Sequence, residues 1–201
     1  MSVSAADVKD LRDRTGAGMM DCKAALAEAD GDVDRATEIL RIKGQASAAK
    51  REGRSTEEGV VSAYIHANDR VGAMVEVQCE TDFVARNDDF KAFAYEVALH
   101  VAATGPRYVS GEDIPPEERD AERRVLEEAA REDGKPDDVV GKIVEGQLGK
   151  WAKEIALLDQ EHVNSDKHDG KTIEQMRQEI AANTSENVRI SRLAYFRLGE
   201  E

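Results

Sequence analysis

Aromatic side chains are scarce in this sequence, only 4% of 201 residues, so a folded core must be built from aliphatic groups and alanine. Cysteine is scarcer still. Cys22 and Cys79 are too few and too isolated for a disulfide framework. No apolar run is long enough for a membrane span or a signal peptide, and MSVSAADVKDLRDRTG at the N-terminus is too acidic for a transit peptide. These absences predict a cytoplasmic protein with no membrane partner. Positive charge is also in deficit: the formal net charge is −14, and twelve acidic residues face five basic ones between Glu112 and Asp138. An acidic surface repels phosphate backbones, which excludes nucleic acid as the expected partner.

Sequence signals for chemistry are missing as well. There is no glycine-rich phosphate cradle and no nucleophile elbow. The four histidines, His66, His100, His162 and His168, are scattered, none at metal-ligand spacing from another His, a Cys or a paired acid. Asp166 to Asp169 reads as a solvated turn. No catalytic residue, bound metal or cofactor is expected.

What is present is periodicity. Residues 4–44 predict three short helices. Ser4 with Asp7 caps the first, Thr15 to Gly18 breaks it, and Asp32 caps the third, whose apolar positions are Val33, Ala36, Ile39 and Leu40. Gln45 to Gly59, poor in apolar residues, reads as the tail of that helix and a linker. VVSAYIHA and VGAMVEVQC flank the turn signal Asn68-Asp69-Arg70 and predict a hairpin. In its second strand Val71, Ala73, Val75, Val77 and Cys79 share one face. Phe90, Phe93, Ala94, Val97, Ala98 and Val101 then fall at helical spacing, with Asn87 as cap. Further helices are expected over about 116–132, 138–158 and 172–182, and VRISRLAYFRL predicts a closing strand. The fold class is α+β: three N-terminal helices, then a small antiparallel sheet covered by helices. We expect the boundary near residue 54, giving 1–54 and 55–201.

Two features stand out. Gly141, Gly146 and Gly149 lie outside the apolar stripe of their helix, giving either a bare approach face or merely a weak helix. Thr81-Asp82-Phe83-Val84 sits between strand and helix. Strand parity, extended, puts Phe83 with Val75, Val77 and Cys79 as a plug at the core edge. The flanking acids and the short connection argue for an exposed side chain instead.

LRDRTGAGMMDCKAAL (Leu11–Leu26) and EVQCETDFVARN (Glu76–Asn87) closely resemble the two signature stretches of bacterial translation elongation factor Ts. GDVDRATEILRIKG, KIVEGQL, FRLGE and YIHANDRVG resemble that family too, in order along nearly the whole chain. The resemblance implies an N-terminal helical domain of the ubiquitin-associated type and a non-enzymatic exchange factor for the GTPase elongation factor Tu. It implies that the Thr81, Asp82, Phe83, Val84 stretch enters the partner and disturbs its magnesium site, so that GDP leaves. Leu11, Met19 and Met20 would dock on the partner's nucleotide-binding domain, and His66 would make a second contact. The length resembles the short form of the family, which implies a homodimer. Gln78 departs from the usual Asn, and the last strand carries no cysteine, so a dimer through it would be non-covalent. The competing reading is a helical adaptor joined to a dimerisation domain, which leaves the Asp82-Phe83 pair unexplained.

Overall fold

The computed structural model describes residues 3–134 and 136–200. Its helices are α1 (Ala5–Thr15), α2 (Met19–Glu28), α3 (Val33–Ala49), α4 (Asp82–Ala85), α5 (Asp88–Thr104), α6 (Pro116–Glu132), α7 (Asp137–Ile155) and α8 (Ile173–Thr184). The strands are β1 (Glu58–Ile65), β2 (Val71–Cys79) and β3 (Arg189–Arg197). The class is α+β, as expected. The chain divides into two compact units, Met1–Val60 with Val77–Phe93 and Gln175–Arg189, and Val61–Glu76 with Ala94–Glu174 and Ile190–Glu201.

In the first unit the three N-terminal helices close around Val8, Leu11, Cys22, Ala25, Leu26, Ala29 and Ala36. Their ends are set by the expected caps. The Ser4 hydroxyl accepts the Asp7 N–H at 3.2 Å while the Asp7 carboxylate accepts the Ser4 N–H at 3.0 Å, a reciprocal box. Gly16, at φ 68°, ends α1 and donates its N–H to the Arg12 carbonyl. Asp32 caps α3 by accepting the Arg35 N–H at 2.9 Å.

The segment after α3, expected as a linker, is held by polar contacts. The Asn187 side-chain amide donates to the carbonyls of Glu52 and Arg54 at 3.2 and 2.9 Å. Arg177 reaches the Glu52 carboxylate at 3.2 Å, and Arg54 pairs with Glu80 at 3.2 Å. The partners are backbone carbonyls and charges, which leave no apolar signature in the sequence.

The sheet order is β1-β2-β3. The His66 N–H donates to the Val71 carbonyl across the hairpin turn, where Asp69 adopts φ 57°. Leu198 opposite Arg70 and Arg192 opposite Glu76 show that β3 runs antiparallel to β2. Gly59 is needed near the start of β1, since a Cβ there would lie 2.2 Å from the Val77 carbonyl oxygen. On one face Ala73, Val75, Val77 and Cys79 are buried. The other face leaves Val61, Ile65, Met74 and Phe196 exposed.

Helix α5 buries Phe90, Phe93, Ala94, Val97, Ala98 and Val101 along one stripe. Asn87 caps it by accepting the N–H groups of Asp89 and Phe90 at 2.7 and 3.3 Å. In the second unit α6 and α7 pack on each other through Leu126, Ala130, Val140 and Val144, a small core of their own.

Candidate functional site

The strand-like pattern of β2 stops at Cys79, and the chain turns helical within three residues. The Thr81 hydroxyl accepts the Val84 N–H at 3.4 Å and so caps the single turn α4. Ala85 is buried and Val84 half-buried, which seats the turn. Asp82 pairs with Arg86 one turn on, at 2.9 Å. Phe83 is left 80% exposed. It is therefore no core plug. The parity argument failed because it carried a two-residue period across a cap, beyond which each residue steps about 100° around a helix axis.

The turn is fastened at its base. The Glu186 carboxylate accepts the N–H groups of Glu80 and Thr81 at 2.9 and 3.0 Å and the Thr81 hydroxyl at 2.6 Å. The Cys79 thiol donates to the Thr81 carbonyl at 3.2 Å. Burial, with the Glu186 charge beside it, pushes that thiol up to about 11. Cys79 is thus an un-ionised packing group.

The expected docking residues separate. Met19 and Met20 open α2 on the surface, 46% and 72% exposed. Leu11 is fully buried in the three-helix core, so it holds those helices together and offers no surface itself, a correction to the expectation. His66 is exposed beside the hairpin turn, with its Nδ1 3.2 Å from the Tyr64 hydroxyl. Gly141, Gly146 and Gly149 face open space: a Cβ at any of them would meet nothing within 4 Å.

Three histidines that are scattered in sequence meet in space. His100 and His162 stack at 5.3 Å, and His168 packs edge-on to His162 at 4.2 Å. His168, expected in a solvated turn, lies with Lys167 against Glu96. Ligand atoms of Glu96, His162 and His168 lie within 4.8 Å of one another. The protons oppose a metal there. The Asn164 N–H donates to His162 Nδ1 at 3.1 Å, so in the neutral ring Nε2 carries the hydrogen, aimed at the Glu96 carbonyl 3.2 Å away. Likewise the Val163 N–H donates to His100 Nδ1 at 3.0 Å, and His100 Nε2 donates to the Gln160 side-chain oxygen at 2.8 Å. Burial lowers His100 to about 4 and lowers His162 as well. Burial raises Glu96, but its hydrogen bonds to Lys167 and His168 outweigh that and leave it below the usual carboxylate range. His100 and His162 thus form a buried pair of neutral imidazoles.

Comparison with known proteins adds an independent line. Residues 23–200 match the family model described as Elongation factor TS. The chain is 48% identical over 200 residues to "Elongation factor Ts" of Geobacter sulfurreducens, covering all of this chain and 91% of the relative. It is 48% identical to the protein of that name from Caldanaerobacter subterraneus, covering 98% of both chains. With that of Carboxydothermus hydrogenoformans the identity is 51%, over 96% of this chain and 88% of the relative.

Proposed function

Since the chain belongs to the elongation factor Ts family, whose members act in translation as exchange factors without catalysing covalent chemistry, we propose that it releases GDP from elongation factor Tu by inserting Phe83. The observation that carries this reading is a large apolar ring, 80% exposed, on a turn fastened by Glu186. An exposed aromatic presented on a fastened turn is the kind of group that dominates interface energy. Phe83 wedges between helices of the GTPase near its nucleotide pocket, and Asp82 meets the helix ends beside it. The displaced elements no longer hold the magnesium ion that bridges the nucleotide phosphates, and GDP leaves. Val84 and Thr81 seat and cap the turn.

Residues 1–54 act as the docking module. Met19 and Met20 supply adaptable apolar contacts to the nucleotide-binding domain of the GTPase, carried by helices that Leu11 holds in place. His66 makes a second contact from the hairpin turn. The chain works in the cytoplasm as a homodimer. Support for the dimer comes from the apolar outer sheet face of Val61, Ile65, Met74 and Phe196.

Coupling fixes the thermodynamics. If the factor weakens GDP binding by some ratio, GDP weakens binding of the factor by the same ratio. It therefore binds the nucleotide-free GTPase best. The test is release of fluorescent GDP from elongation factor Tu with wild-type protein and with Phe83→Ala. The proposal expects acceleration by the wild type and loss of most of it in the variant. Unchanged acceleration by the variant would move the wedge elsewhere. A folded wild type that does not accelerate release would leave only the adaptor reading.

A further inference from the structure

We propose that Glu186, more than 100 residues from the turn in sequence, is the positioning residue that holds the Phe83 turn in its docking geometry. The proposal rests on the reading that this turn enters the GTPase. Glu186 spends one carboxylate oxygen on the N–H groups of Glu80 and Thr81, at 2.9 and 3.0 Å, and the other on the Thr81 hydroxyl, at 2.6 Å. Those two amides follow the last residue of β2 and precede α4, where neither ladder nor helix can satisfy them. The same hydroxyl caps α4. One carboxylate therefore fixes both the exit of the strand and the cap of the turn that carries Phe83.

Glu186 is itself held. Ser185, at φ 60°, breaks away from the end of α8 in the left-handed region. Asn187, 4% exposed, donates its N–H to the Glu80 carboxylate at 2.6 Å and its side-chain amide to the carbonyls of Glu52 and Arg54. Next to it, the Arg177 guanidinium donates to the Val188 carbonyl at 2.7 Å. The clasp thus has fixed neighbours on both sides. A carboxylate oxygen taking two backbone N–H groups is a charge-assisted contact, shorter and stronger than a neutral one.

A turn released from this clasp would populate the docking geometry only part of the time. Apparent affinity falls by that fraction, while the bound state, once reached, is the same. Glu186→Ala should therefore raise the concentration giving half-maximal GDP release by about tenfold or more and leave the saturated rate within about twofold. Glu186→Gln keeps an oxygen able to accept both N–H groups and should stay within about threefold of wild type. In Glu186→Ala, hydrogen exchange should quicken by about tenfold or more at the amides of Glu80 and Thr81 and stay unchanged within β2. Phe83→Ala, measured alongside, should instead depress the saturated rate.

Unchanged exchange at those two amides would overturn the proposal. So would loss of protection throughout β2, which would make Glu186 a general stabiliser. Equal impairment of the Ala and Gln variants would overturn the acceptor role. If Phe83→Ala alone impairs release, Glu186 has no positioning role in function. If Phe83→Ala has no effect, the reading of the turn itself fails, and the amide exchange still decides whether Glu186 holds it.

Discussion

Acidification should destabilise this protein at a pH above the range where carboxylates titrate, because its buried imidazoles resist protons. His100 is fully buried and held to about 4, against 6.5 for an ordinary histidine. The sign follows from which state binds more protons. Below pH 6.5 the unfolded chain takes up a proton at this site while the folded chain does not, so stability falls as pH falls from 6.5 toward 4. At about 1.4 kcal/mol per pH unit of difference, lowering pH from 7 to 5 removes about 2 kcal/mol through His100 alone. His162, lowered by the same burial, acts in the same direction. Two groups beside the pair leave this intact. Glu96, already below the usual carboxylate range, stays charged through the window, and Gln160 does not titrate. For a chain of this size the melting temperature should drop by roughly 4–8 °C. Urea unfolding at pH 7, 6 and 5 measures it, with His100→Gln as control. The amide can accept from Val163 and donate to Gln160, so the variant should show a shallower dependence on pH. A wild-type profile flat from pH 7 to 5, or an equally steep one in His100→Gln, would refute the reasoning.

Other predictions follow from exposure and open space. Phe83→Ala should change folding stability by less than about 0.5 kcal/mol, whereas Phe90→Ala, at a fully buried ring, should cost about 3–5 kcal/mol in the same denaturant melts. A large loss in the first would mean the ring is packed. Gly149→Ala should stabilise α7 by up to about 1 kcal/mol without altering GDP release, since a methyl there meets nothing within 4 Å; slower release would show that the bare face is used. The proposed homodimer predicts that the wild type sediments as a dimer at micromolar concentration and Phe196→Asp as a monomer, as a charge on the outer sheet face opposes its burial. A dimeric variant would place the contact elsewhere, and a monomeric wild type would contradict the dimer.

Much of the fold was legible because it follows short periods and local caps. The alternation of Ala73, Val75, Val77 and Cys79, the buried stripe of α5, and the caps at Ser4, Asp32 and Asn87 all depend on residues a few positions apart. The site was only half legible. A large apolar side chain among acids marked Phe83, but its direction depended on where the strand's period gave way to a helical one. Leu11 lies within a recognisable stretch, yet that stretch mixes core with surface, and only burial separates Leu11 from Met20. Glu186 and the meeting of Glu96, His100, His162 and His168 were invisible. They join positions that no local pattern relates, and an acid in a loop looks solvated until its partners are placed.

Titrating wild-type protein into elongation factor Tu loaded with fluorescent GDP decides whether this chain is an exchange factor at all. The release rate should rise and saturate, with the factor bound most tightly to the nucleotide-free GTPase. A rate that stays at its spontaneous value while the factor is folded and in excess would rule exchange out.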